Sequence, residues 1–314
     1  VIGIVLMMIL PIPSWLLDIL LVINISIALM ILLVSMNTKE ALQFSIFPSL
    51  LLITTLFRLA LNISTTKLIL GEGHAGEVVA TFGSWIAGGQ IAVGFVVFLI
   101  LVVVQFIVIT KGSERVAEVG ARFTLDAMPG KQMSIDADLN AGLINEQQAR
   151  ERRSKIEREA DFYGAMDGAS KFVKGDAIAS IIILIINLVG GFIIGMAVQG
   201  KGFQEALSTN SVLTIGDGLV SQIPALLIST ASGLIVTRAT SDGNLAEDLT
   251  GQLFSYPKLI YIVAATIALL GLFTPIHIIT TLPLAILLFF AARRMQGNME
   301  RKQIAEEQLE EEQQ

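Results

Sequence analysis

The sequence predicts an all-α polytopic membrane protein with about eight transmembrane helices and a small cytoplasmic insert between spans four and five. Three observations carry that prediction. The 314 residues are 54% hydrophobic and only 15% charged, with a mean hydropathy of +0.73, which is far from the balance of a soluble domain. Apolar runs of roughly 18 residues or more recur along the chain, enough for a helix to cross hydrocarbon. Those runs lack the roughly ten-residue alternation of barrel strands. The net charge of -6 leaves no basic excess for nucleic acid, and the absence of cysteine excludes disulfides, thiolate metal sites and cysteine nucleophiles.

The first apolar stretch, Val1–Leu10, lacks a basic leader, so it is expected to be a truncated helix and not a signal peptide. Ten residues rise only about 15 Å, half of the ~30 Å hydrocarbon thickness. Pro11 and Pro13 end that run, Trp15 supplies an interfacial anchor, and Leu16–Met36 follows as a second span. A third stretch runs from about Phe44 to Leu70 and carries Arg58, Asn62 and Lys67; a fourth, Ile91–Thr110, follows Gly88 and Gly89. From Lys111 to Asp176 the chain holds 11 basic and 12 acidic residues in 66 positions, which reads as a water-facing insert. Apolar character returns at Ala177–Val198, Ser211–Thr237 and Leu259–Ala292. The last of these is long enough for two short spans joined at Thr274-Pro275.

The expected organisation is therefore spans one to four over 1–110, the insert over 111–176, spans five to eight over 177–292, and a tail over 293–314. The tail is acidic and polar, with Ile304 and Leu309 its only sizeable apolar residues, and reads as a linker to a further soluble domain. With the insert in the cytoplasm, 18 of the 21 Lys and Arg residues fall on that side and only Lys67 and Lys201 on the other, Arg58 lying within a span. Both termini are then expected to be cytoplasmic.

Short motifs in the insert exclude more than they assign. The Gly130-Lys131 pair lacks the glycine and hydroxyl residue of a P-loop, since Leu125 and Gln132 stand in those places. Asp136, Asp138 and Asn140 imitate the start of a calcium loop, but Gly142 comes one residue late and Gln147 replaces the closing Glu, so a helix cap or turn is the better reading. Glu146–Met166 reads as one charged helix with a Glu151/Lys155 pair and a narrow stripe of Ala149, Ile156, Ala160 and Tyr163, suited to packing against another loop or another copy. Gly191 and Gly195, and Ala87 through Gly94, permit close helix contact. His74 and His277 are isolated, and no metal is expected at either.

Ionisable groups in apolar surroundings carry more information, because a charge at the centre of hydrocarbon costs at least ~2.5–3.5 kcal/mol. Asp176 stands at the mouth of a span that is uncharged through Val198; a helix N-cap and a pathway carboxylate both fit it, with Lys171 and Lys174 near enough to tune it. Asp217 lies between Gly216 and Gly218, with Gln222 and Pro224 following. That pattern suggests a broken helix around an ion site more than a loop-end carboxylate. Arg58 needs a partner that the sequence does not name, and Asp18, close to Trp15, reads as interfacial.

The runs Glu114–Leu139 and Ala160–Asp176, together with Phe57–Asn62 and Ile215–Ala225, resemble the FHIPEP family, the major export-gate membrane proteins of bacterial type III secretion. Ala160-Asp-Phe-Tyr-Gly resembles the family's flagellar branch most. The resemblance implies a nine-copy ring in the inner membrane that couples H⁺ or Na⁺ motive force to export of unfolded flagellar proteins. It implies as partners other export-gate membrane proteins and, through a following cytoplasmic domain, the export ATPase complex and chaperone–substrate complexes. It also implies that Asp176, with Lys171 in the same motif, serves proton coupling, that Asp217 matches a family acidic residue in the membrane with an ion role, and that Arg115, Arg122 and Asp126 serve gating and contacts of the insert. No enzyme activity and no cofactor beyond the transported ion are expected. A passive ring scaffold and a small-solute secondary transporter are the alternatives, although the latter usually shows internal repeats, and none is evident here.

Overall fold

The computed structural model describes residues 1–87, 90–238, 256–273 and 281–297, and all regular structure among them is helical. The chain divides into two compact units, Val1–Asp242 and Gly243–Gln314. In the first, α1 (Ile2–Ile9) leads to α2 (Ser14–Asn37), α3 (Phe47–Glu72), α4 (Glu77–Ala87), α5 (Ile91–Val104), α6 (Lys111–Asn140), α7 (Glu146–Ala197) and α8 (Phe203–Thr237). A 3₁₀ turn, Ala41–Phe44, precedes α3, and a π-turn, Gln105–Thr110, joins α5 to α6 without interruption. The second unit contains α9 (Pro257–Phe273) and a helix over 281–297, where Tyr261 meets Phe289 edge-on at 5.3 Å.

Five of these helices are long and apolar enough to cross a membrane: α2, α3, the rod Ile91–Asn140, α7 and α8. The expected first span is the eight-residue α1, too short to cross alone. The expected turn at Thr274-Pro275, His277, the Gly88-Gly89 pair and the linker at 300–314 lie outside the described residues.

Local chemistry sets the boundaries. Pro13 precedes the first turn of α2, Pro48 lies in the first turn of α3, and Gly73 ends α3 in the left-handed region at φ 67°. Asn145 and Gln148 form a reciprocal capping box at the start of α7, with backbone-to-side-chain bonds of 2.8 and 3.0 Å. Lys67 donates to the Met8 and Ile9 carbonyls at one end of the bundle, where Asp18 caps α4 by accepting from the Glu77 and Val78 amides, both at 3.0 Å. Asp18 is thus a helix cap supplied from a neighbouring helix. At the other end, Arg238 donates to the Lys39 and Met36 carbonyls, and Lys155 bonds Glu40 at 3.0 Å.

Residues 111–176, expected as the insert, run through α6, a turn and the first part of α7 as a helical hairpin. Its helices α6 and α7 continue the membrane rods, and 52 residues give α7 a length of about 78 Å, far more than a bilayer needs. The predicted helix from Glu146 is therefore the start of a much longer one. Asp136 and Asp138 sit within α6 and bond Arg153 and Arg152; the turn lies beyond them, with Gly142 at φ 74°. Lys155 reaches Glu40 while Gln147 bonds Glu151, so the expected Glu151/Lys155 pair does not form. The stripe on α7 is covered within the chain: Ala149 packs with Ile135 and Ile144, and Tyr163 joins a core containing Phe47, Ala117, Met166 and Ile235.

Candidate functional site

Three helices of the first unit carry polar residues at helical spacing on their inward faces. On α3 these are Arg58, Asn62 and Thr65; on α7, Asp176, Ser180 and Asn187; on α8, Asp217 and Ser221. Steps of three, four, seven or eleven residues keep each set near one face. Together they form a polar column. The Arg58 guanidinium donates to the Asp176 carboxylate, and the two side chains are 3% and 0% exposed. One level along, Asn62 donates to Ser180 at 3.2 Å and accepts from the Ser221 hydroxyl. Further on, Asn187 donates to Asp217 at 2.9 Å, and the Thr65 hydroxyl donates to the Asn62 carbonyl at 2.9 Å. Eleven residues of α7 from Asp176 to Asn187 make the column about 16 Å long, half the thickness of hydrocarbon.

A cavity of about 40 Å³ opens alongside, lined by Arg58, Asn62, Gln105, Ser180, Asp217 and Ser221 among others. That volume holds one or a few waters, and the polar walls offer them partners. Arg58 Nε and Nη1, Asp176 Oδ1 and Asn187 Oδ1 are buried without hydrogen-bond partners, so the column carries unused donors and acceptors throughout.

The structure answers the sequence expectations residue by residue. Asp176 lies inside α7, thirty residues from its start, which removes the N-cap reading, and its partner is Arg58. Asp217 is buried as expected, but α8 runs through it unbroken. The flanking glycines serve packing: a side chain at Gly216 would strike the Val79 carbonyl of α4, and one at Gly218 the Phe98 ring of α5. Likewise Gly191 and Gly195 make room for Asn210, and Gly94 for Ala87. Lys171 stands outside the column, exposed on the charged part of α7. Its hydrogen bond and charge pairing with Asp167, at 2.7 Å, hold its ammonium above the usual lysine range. Arg115 pairs with Glu118 at 2.7 Å and Arg122 with Asp126 at 3.8 Å, all on the exposed side of α6. The structure therefore joins Arg58, Asp176 and Asp217 in one column and leaves Lys171, Arg115, Arg122 and Asp126 on the hairpin surface.

Sequence reasoning missed Thr65, Gln105, Ser180, Asn187 and Ser221. The available signal was polar residues repeating every three or four positions inside apolar runs, which is weak for serine and threonine because both satisfy themselves on their own helix backbone.

The family model described as FHIPEP matches residues 4–314. The flagellar biosynthesis protein FlhA of Bacillus subtilis is 65% identical over 312 residues, covering 99% of this chain and 46% of that protein. The protein of the same name from Salmonella typhimurium is 56% identical over 271 residues, 85% of this chain and 39% of its own length. The low calcium response locus protein D of Yersinia pestis is 50% identical over 307 residues, 96% of this chain and 44% of its own. The chain thus spans less than half the length of these relatives, and no solved structure matches it. With 311 of its residues matched end to end by one family model, the chain belongs to the FHIPEP family.

Proposed function

We propose that this chain is the membrane portion of a flagellar type III export-gate component that conducts H⁺ or Na⁺ and couples the ion gradient to translocation of unfolded proteins. The observation that carries this reading is the buried Arg58–Asp176 pair standing where the polar column meets the charged hairpin. Two charges taken out of water are sustained only by each other, so binding a cation to Asp176 weakens its hold on Arg58. Asp176 lies on the same helix as Lys174, which bonds Glu114 of α6 at 2.9 Å, so a shift of α7 is felt directly by the hairpin. Ions pass Asp217 and the Asn62–Ser180–Ser221 level before reaching Asp176. Exposed Arg115, Arg122 and Asp126 are then free for contacts with gate partners, and Lys171 tunes the mouth.

In this reading the chain sits in the bacterial inner membrane with the hairpin and both termini in the cytoplasm, assembled as a homo-oligomeric ring of nine copies. Its neighbours are other export-gate membrane proteins, and chaperone–substrate complexes and the export ATPase complex engage other parts of the protein. The role is transport and not catalysis.

One observation favours a passive scaffold instead: Arg58 already neutralises Asp176, as a purely structural pair would. Ion flux into liposomes, followed with H⁺- and Na⁺-sensitive dyes, separates the two readings. Flux lost in Asp176→Asn and Asp217→Asn supports conduction. Flux absent from the folded wild-type protein would leave the column a scaffold.

A further inference from the structure

The rod from Ile91 to Asn140 contains the single π-turn among the described residues, and it begins at a buried glutamine that faces the polar cavity. Its position follows from phase. Along α5 and into the first residue of the π-turn, Gly94, Phe98 and Gln105 are buried at steps of four and seven, which keeps them on one side of a helix that turns about 100° per residue. On α6, Ala117 and Ala121 are buried by the same rule against the core of α2, α3 and α8. Gln105 and Ala117 are twelve residues apart, so an unbroken α-helix would set the two buried faces about 120° out of register. One additional residue in one turn absorbs most of that angle. The buried positions Gln105 and Thr110, 8% and 2% exposed, stand five apart, the spacing of a π-turn. Lys111, whose ammonium lies 5.4 Å from the centre of the Phe106 ring, fastens the exit from the turn.

The turn is therefore what allows one rod to face the cavity with Gln105 and the hairpin core with Ala117. At Gln105 it brings a carboxamide to a cavity that also exposes Arg58, Asn62, Asp217, Ser221 and, from α8, Gln222. No described residue exchanges a hydrogen bond with that carboxamide, so both its donor and its acceptor are open to whatever occupies the cavity. A neutral amide beside a carboxylate offers an oxygen to a dehydrating cation or a relay for a proton-carrying water. We propose that Gln105 is a specificity-determining residue of the ion path, held there by the π-turn. This rests on the conduction reading above.

The test uses the complete protein in phosphatidylethanolamine–phosphatidylglycerol liposomes, with H⁺ and Na⁺ fluxes measured separately. Gln105→Leu, which keeps the volume and removes the amide, is expected to lower flux about tenfold, as loss of one good hydrogen bond would. Gln105→Asn is expected to restore part of it and to change the Na⁺ to H⁺ ratio, which a merely structural residue would not do. Since these 314 residues contain no cysteine, Gln105→Cys also provides a thiol in a known place. Reaction of that thiol with Ag⁺, a thiol-seeking ion about as large as Na⁺, is expected to block flux that Ag⁺ leaves intact in the wild type, and equal flux with and without Ag⁺ would overturn the proposal. Wild-type conduction that survives Gln105→Leu unchanged would overturn it alone. Absence of wild-type conduction would overturn the conduction reading and this inference with it.

Discussion

Two arginine–aspartate pairs, one in the membrane column and one on the hairpin, use the same chemistry to opposite effect. Arg58 and Asp176 are joined across two helices with side chains 3% and 0% exposed; Arg122 and Asp126 are one turn apart on α6, 82% and 71% exposed. Water does the work at the hairpin, solvating each charge separately, so that pair contributes roughly 0–1 kcal/mol. In the column each charge has only its partner, and removing one leaves the other stranded. A pair of the first kind ties two helices together, whereas the second leaves both side chains available to another molecule.

The largest expected effect tests that contrast directly. Arg58→Ala or Asp176→Ala alone is expected to lower stability by about 3–5 kcal/mol, measured by unfolding in lipid nanodiscs. The double replacement Arg58→Met with Asp176→Leu is expected to recover much of the loss, because no buried charge remains. Single and double variants of equal stability would mean that water reaches the pair, and the contrast with the hairpin would collapse.

Packing around Asp217 supplies the next effect. Gly216→Ala places a methyl against the Val79 carbonyl, and with backbone on both sides neither helix can yield cheaply; a loss of about 1–3 kcal/mol is expected. Gly164→Ala, on the hairpin, meets nothing within 4 Å and is expected to be neutral or slightly stabilising by thermal unfolding. Asp217→Leu leaves the Asn187 amide without its partner and is expected to destabilise by about 1–3 kcal/mol, while Asp217→Asn retains most of the stability and loses ion flux.

This contrast also explains what could be read without the structure. The apolar runs, the charged segment and the segregation of Lys39 and Arg238 from Lys67 and Lys201 are written in composition, which a membrane reads directly. Asp176 and Asp217 were legible for the same reason: a carboxylate among apolar residues is conspicuous. The partnership of Arg58 with Asp176 was not, since 118 residues separate them and only tertiary packing joins them. The unbroken course of α8 through Gly216 and Gly218 was hidden because glycine lowers helix propensity by only about 1 kcal/mol, which close contact with α4 and α5 outweighs. Asn187 and Gln105 were passed over because a lone amide in an apolar run carries no formal charge to flag it.

The smallest expected change is the most informative about the hairpin. Arg122→Ala and Asp126→Ala remove an exposed pair at 3.8 Å, and unfolding is expected to shift by no more than about 0.5 kcal/mol for either, less still in high salt. If the pair served stability, the two single losses would be coupled in a double-mutant cycle. If both residues serve a partner, they will each weaken association with gate components while leaving the cycle for unfolding close to additive. Charge reversal sharpens the distinction: Arg122→Asp with Asp126→Arg preserves the pair on the helix while inverting what a partner meets. Normal stability with lost association in that swapped variant would assign the hairpin's charges to recognition. Normal association would return them to the solvated surface of a long helix.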